Sequence, residues 1–387
     1  MNIEKYLDEK EIIGWRRWFH ENGELSFKEY NTSAFIENEL KKIGNIEILK
    51  PTPTSIIGVI KGPKEGKVVG LRADIDALPI EEEADVDFKS KNKGVMHACG
   101  HDTHAAMLLG AAKVLANNRE ELNGTVKLIF QHAEELPPGG AIEIVNSGMV
   151  DDVDEFYGIH IFPGLPAGHI LSNTGAIMAS SDTVTLKIQG KGAHGSMPDK
   201  SIDPIMIGSM IVININQIIS RNINAFENAV ISCGIFNSGT AENIIPDTAN
   251  LKFTVRNLSE DVRRTIKSRI EDIIAGICKA NGATYELDYL MGYDVNINDE
   301  NCVNKIKKAA EKVVGLDNYV ELPQQMGSED FSSYRRIAPS GYLGLSGGSA
   351  EEGYEYVNHN PKFKIDEKAL MYGAKMHIEL ALLGLEK

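Results

Sequence analysis

His97-Ala98-Cys99-Gly100-His101-Asp102-Thr103-His104 packs four potential metal ligands and a carboxylate into eight residues. A thiolate and an imidazole two positions apart can reach one divalent ion where the backbone turns tightly, and Gly100 between them permits that turn. The apolar spacing from Ala105 to Ala116 predicts a helix, capped at its N-terminus by Asp102 or Thr103. The cluster therefore sits on a loop that enters a helix, a rigid place to hold ligands. It supplies too few donors to close a site, so the others must come from elsewhere in the chain.

Strand ends are where to look for them. Gly124 to Phe130 reads as a buried strand running into Gln131-His132-Ala133-Glu134-Glu135. Neighbouring residues on a strand face opposite sides, so Glu134 and Glu135 can serve one pocket only where the chain leaves the strand. Leu136-Pro137-Pro138-Gly139-Gly140 predicts that departure. A second run, Phe156 to Ile159, ends in His160, and a third, Lys67 to Arg72, ends in Asp74-Ile75-Asp76. His359 lies near the C-terminus in Tyr356-Val357-Asn358-His359-Asn360-Pro361. Strands that end in ligand-type or acidic residues suit an open α/β sheet that gathers its active site at the carboxyl edge.

In order along the chain, these segments resemble the peptidase M20 metallohydrolases. The similarity is to the amidohydrolase branch, which includes hippurate hydrolase, N-acyl-amino-acid amidohydrolases, auxin-conjugate hydrolases and N-acetyldiaminopimelate deacetylase. It is carried by Arg72-Ala-Asp-Ile-Asp-Ala-Leu-Pro79, Met96-His-Ala-Cys-Gly-His-Asp102, the Glu134-Glu135 pair and Gly158-Ile-His160. Gly192-Ala-His-Gly-Ser-Met-Pro198, Asn243-Ile-Ile-Pro-Asp247 and Asn358-His359 continue it. The resemblance implies Cys99, His101, Glu135, His160 and His359 as metal ligands, with Glu134 as general base. It makes Asp76 (or Asp74) the carboxylate that orients a ligand. His194 would help hold the substrate's carbonyl oxygen, in some members across a dimer, and Asn243 and Arg256 would bind the substrate's backbone or carboxylate. The chain departs from the family's usual sequence at His132, where Pro is common, and at Leu136-Pro137-Pro138, where glycine-rich sequence is common.

Five donors of mixed sulfur, nitrogen and oxygen character suit one or two divalent ions of the Zn, Mn, Co or Ni kind. Such an ion lowers the pKa of water and polarises a carbonyl, and a neighbouring glutamate can carry the proton to the leaving amine. The implied function is metal-dependent hydrolysis of the amide of an N-acyl amino acid or a short peptide. A dipeptidase or aminopeptidase on the same fold is the nearest alternative, and a catalytically inert metal-containing binding or assembly protein is an alternative of another class. Cys99 as a nucleophile is a third, opposed by the carboxylates around it. Taken singly, Cys99 would be a small buried hydrophobe, Glu134-Glu135 a solvated pair, and His160 and His359 structural histidines.

The fold class expected is α/β with two domains: a mixed-sheet catalytic domain and an inserted ferredoxin-like lid. Thr183–Gln189, a helical stretch from Pro204, strands near 229–236 and 249–255, a helix over 260–280 and a strand at 284–289 give the order β-α-β-β-α-β. The expected boundaries are 1–180 and 294–387 for the two parts of the catalytic domain and 181–293 for the lid, with hinges near 178–181 and 290–293. The lid's sheet edge and apolar helix are candidate surfaces for a homodimer or homotetramer. A net charge of −15 speaks against nucleic acid and anionic membranes as partners. The first ten residues lack the apolar run of a signal peptide, and four scattered cysteines do not make a disulfide framework, so a cytoplasmic location is expected.

Overall fold

Four parallel strands at the centre of one large sheet decide where the chemistry gathers: Gly124–Gln131, Lys67–Asp74, Glu155–Phe162 and Ser340–Ser346, side by side in that order. Parallel strands all present their carboxyl ends at the same edge, so the residues that follow them are delivered to one place. Four further strands complete a mixed eight-stranded sheet. Ile56–Lys61 and then Glu47–Leu49 flank one side, and Ile170–Ser172 and Tyr319–Glu321 the other.

The computed structural model describes residues 1–386, in two units. Lys387, where the expected last segment ends, lies outside the described residues. The first unit comprises Met1–Gly175, Ile297–Pro323 and the chain from Asp330; the second comprises Ala176–Asn296 and Gln324–Glu329.

In the first unit, the helix His101–Asn117 is buried over almost its whole length and packs against Ala369–Gly384, Glu9–Glu21 and the sheet. Gly373 makes the closest of these approaches possible, since a Cβ there would lie 1.9 Å from Met107 Sδ. The helix begins at His101, earlier than the apolar spacing indicates. Its N-cap is Gly100 in a left-handed conformation with no side-chain cap. Asp102 and Thr103 therefore sit in the first turn and do not cap it. The Asp102 carboxylate is taken by Arg16 Nε and His20 Nδ1, each 2.8 Å from Oδ2. The strand carrying His160 also runs further than the sequence suggests, because Ile161 and Phe162 pair in parallel register with Leu345 and Ser346.

The second unit is a four-stranded antiparallel sheet in the order Ala229–Ser238, Thr248–Asn257, Ser180–Gln189, Thr284–Met291. The helices Pro204–Asn222 and Glu260–Ala280 cover it, and their apolar sides form a separate core with the sheet. The first of these helices forms despite its β-branched run. Asp203 caps it through the amides of Ile205 and Met206, Pro204 starts it, and Ile207, Ile211, Ile215 and Ile218 share the buried face. Burial of that face outweighs the weak helix propensity of isoleucine. A buried ion pair closes the unit at one end, with Arg263 Nη2 2.6 Å from Asp182 Oδ1.

Candidate metal centre

The ligand-type side chains that follow the central strands converge within the first unit. His160 Nε2 lies 3.4 Å from Cys99 Sγ, and His359 Nε2 lies 3.3 Å from the same sulfur and 3.2 Å from Glu135 Oε1. His101 Nε2 is 3.9 Å from Glu135 Oε1. Donor atoms of Cys99, His101 and His160 lie within 4.8 Å of one another; so do those of Cys99, Glu135 and His359, and those of His101, Glu134 and Glu135.

Two of the donor rings are turned inward by a bond on their other nitrogen. His160 Nδ1 donates to the carbonyl of Ile161 at 2.9 Å, which leaves the Nε2 lone pair facing the cluster. Asp76 Oδ1 is 3.2 Å from His101 Nδ1 and does the same for that ring. Asp76 Oδ2 accepts from Ser26 Oγ at 2.7 Å and from the amide of Glu135 at 3.0 Å. Asp74 is engaged differently. It takes Arg72 Nη1 at 2.6 Å and His104 Nδ1 at 2.5 Å. Of the two carboxylates named from the sequence, Asp76 is thus the one that contacts a ligand ring at the nitrogen pointing away from the cluster. His359 adopts a left-handed φ of 69°, uncommon outside glycine. Its amide donates to Ala98 O at 2.7 Å, and Asn358 Nδ2 donates to Cys99 O at 2.9 Å and Ile161 O at 3.2 Å.

The donor set fits a divalent cation. His101 Nε2 and Glu135 Oε1 are buried and make no hydrogen bond, although they face the same point. Burial and the carboxylates of Glu135, Glu134 and Asp74 push the Cys99 thiol well above its ordinary range. A free thiolate is therefore disfavoured, and a cation is the natural means of ionising it. Burial and the neighbouring His104 hold His160 well below the usual histidine range, in the neutral form that ligates. Burial, which alone would lower His101, is outweighed by Asp74, Asp76 and Glu135, and that ring is pushed up to about 10. So many carboxylates gathered at the edge of a buried site call for positive charge.

The partners of two residues already quoted from the sequence could not be read from it. His104 links Asp74 to the amide of Ile161 at 2.9 Å, and Arg72 reaches Asp330 at 2.8 Å while its Nε bonds Gln131. Arg72 and Asp330 are 258 residues apart, and no local pattern signals such a pair.

The substrate-contact candidates all lie in the second unit, but not together. His194 is exposed, with Nδ1 2.8 Å from Ser196 Oγ, and the short pairing of Ala193–His194 with Ile244–Ile245 sets it beside Asn243. Both line an open cleft with Gly239, Thr240 and Asp247. Arg256 is half-buried and bonds Ser328 Oγ at 2.8 Å and Thr254 Oγ1 at 3.3 Å. Among the described residues, no carboxylate pairs with it. Its strand partner is Ser181, whereas Thr248, next to the cleft, pairs with Gln189. Eight residues of extended strand separate the two ends by roughly 26 Å. Within one copy of this unit, His194 and Asn243 do not meet Arg256.

Comparison with known proteins gives concordant matches. The profile of the family described as Peptidase family M20/M25/M40 matches residues 70–383. Thermostable carboxypeptidase 2 of Saccharolobus solfataricus is 43% identical over 97% of this chain and 96% of its own length. An N-acyl-L-amino acid amidohydrolase of Geobacillus stearothermophilus is 44% identical over 76% of this chain and 80% of its own. The crystal structure of a Bacillus subtilis protein, described as a dinuclear metal-binding peptidase from the M20 family, superposes with a TM-score of 0.85. It has 34% identity and covers 97% of this chain and 98% of that one.

The Asp76 contact generates a test. Asp76→Asn removes the charge that orients His101, and divalent-ion affinity measured by competition with a chromophoric chelator falls about 10–100-fold. An unchanged affinity removes Asp76 from ligand orientation.

Proposed function

The chain belongs to peptidase family M20/M25/M40 and is a metal-dependent amidohydrolase, and we propose that it cleaves the amide joining an acyl group to an amino acid whose α-carboxylate is free. The observation that carries this proposal is the convergence of Cys99, His101, Glu135, His160 and His359, with Glu134 beside them, in which His101 Nε2 and Glu135 Oε1 are buried without a hydrogen bond. The names of the relatives lend support. A carboxypeptidase and an N-acyl-amino acid amidohydrolase both act where the amide nitrogen belongs to an amino acid with a free carboxylate.

Those five residues would hold one or two ions of the Zn, Mn, Co or Ni kind, which supply Lewis acidity toward water and carbonyl oxygen. The remaining work falls to the protein. Glu134 accepts the proton of the attacking water and returns it to the departing amine nitrogen. Its buried position keeps bulk water from competing for that proton.

We read the second unit as the ferredoxin-like lid, with 181–293 as its extent and 1–180 and 294–387 as the catalytic parts. Support comes from its element order and its strand sequence, in which the first and third strands occupy the middle of the sheet. Arg256, half-buried and in no ion pair among the described residues, suits the substrate carboxylate, which a guanidinium grips with two parallel bonds. The cleft of His194 and Asn243 suits the site of a second copy, since it lies far along the sheet from Arg256. A homodimer or homotetramer through the lid is in keeping with the exposed Met206 and Ile213 of the helix and Ile235 and Phe236 of the edge strand. No helix among the described residues is long and apolar enough to cross a membrane. Four free cysteines are in keeping with a cytoplasmic location.

Two substitutions test the proposal. Glu134→Gln retains its metal content but loses about 10²–10⁴-fold in kcat on N-acyl amino acids; near-normal turnover would exclude Glu134 as the base. Arg256→Lys raises KM by about tenfold, the loss of roughly one charged hydrogen bond, for substrates with a free carboxylate and leaves KM for their amides unchanged. Equal KM values for both substrate kinds before and after the substitution would reject the role.

A further inference from the structure

Glu134 stands between two backbone amides that are each held by a buried carboxylate. The amide of Ala133 donates to Glu29 Oε1 at 2.8 Å, and the amide of Glu135 donates to Asp76 Oδ2 at 3.0 Å. Both acceptors are organised by one short segment. Ser26 bonds Asp76, and the amide of Phe27 donates to the same Glu29 oxygen at 3.0 Å. The two residues whose amides meet on Glu29, Phe27 and Ala133, are non-glycine residues with left-handed φ values of 64° and 50°. That conformation is unfavourable outside glycine and persists only where the surroundings enforce it. A single buried acceptor taking both amides is such an enforcement.

The turn is closed from its other side as well. Gly140 N donates to Ala133 O at 3.1 Å, and a Cβ at Gly140 would lie 1.9 Å from His132 O. The His132 ring is pinned between Ser55 Oγ at 2.6 Å and Glu143 Oε2 at 3.1 Å. With Ala133 and Glu135 immobilised, the Cα of Glu134 has no freedom to rotate away, and its side chain leaves the turn in one direction.

We propose that Glu29 is a positioning residue of the hydrolytic reaction, which sets the Glu134 carboxylate by anchoring the amide of Ala133. The inference rests on Glu134 serving as the general base. Glu29 is fully buried, and burial together with the nearby Asp76 pushes its carboxyl up to about 7. Two amides converge on one of its oxygens, so that acceptor is the working feature. An amide side chain of the same shape supplies that oxygen equally well.

The experiment compares Glu29→Gln, Glu29→Leu and Glu134→Gln by kcat, KM, bound metal and thermal midpoint. Glu29→Leu fills the same volume without an acceptor and loses about 10²-fold in kcat, the cost of a misplacement near 1 Å, with KM and bound metal unchanged. Glu29→Gln restores a near wild-type kcat. Should Glu29→Leu fail to fold, Glu29→Asp carries the same test, because its shorter arm keeps a buried carboxyl but pulls it away from Ala133. A folded, metallated Glu29→Leu (or Glu29→Asp) with wild-type kcat and only a lower thermal midpoint overturns the inference and leaves Glu29 merely structural. Wild-type turnover by Glu134→Gln removes the reading on which the inference rests, and the inference with it. An inactive Glu134→Gln beside a fully active Glu29→Leu removes the inference alone.

Discussion

The chemistry of the first unit is arranged around negative charge buried at one edge of its sheet. Asp74, Asp76, Glu134 and Glu135 follow two adjacent parallel strands and are carried to one edge of the sheet. Burying such groups costs several kcal/mol each unless they are paired or bonded. Arg72 and His104 answer for Asp74, and Ser26 and the ring of His101 answer for Asp76. Glu135 Oε1 and His101 Nε2 are left buried without hydrogen bonds. A cation seated among these donors would satisfy both atoms, in keeping with metal dependence.

Much of this was legible in the sequence because the site is assembled from strand ends. The spacing of Cys99 and His101 around Gly100, the paired glutamates before a proline-glycine stretch, and histidine or aspartate at the close of apolar runs are all local signals. The helix His101–Asn117 was legible too, but not its first turn. Its start depends on Asp102 being claimed by Arg16 and His20, residues of a distant helix. The strand Glu155–Phe162 was read short for a related reason, since its last residues owe their conformation to pairing with Ser340–Ser346. Neither signal exists in the local sequence.

Long-range contacts account for the rest of what stayed hidden. Glu29 precedes the helix Tyr30–Ile43 and reads as an ordinary acidic residue at a helix start, yet its carboxyl meets an amide 104 residues away. His132 stands where the resemblance leads one to look for proline, and the chain holds that position with a hydrogen-bonded ring instead of a locked φ. The resemblance assigns His194, Asn243 and Arg256 to the substrate, with His194 in some members reaching it across a dimer. The register of the second sheet separates them by the length of a strand, which motif order along a chain cannot reveal.

Amide hydrolysis should depend on an ion held by the donor set around Cys99. The most direct measurement is turnover of an N-acyl amino acid by chelator-stripped protein as Zn, Mn, Co or Ni is titrated back. The account predicts no detectable turnover in the stripped protein and recovery that saturates at one or two ions per chain. Turnover that survives exhaustive stripping would contradict it and return Cys99 to consideration as a nucleophile.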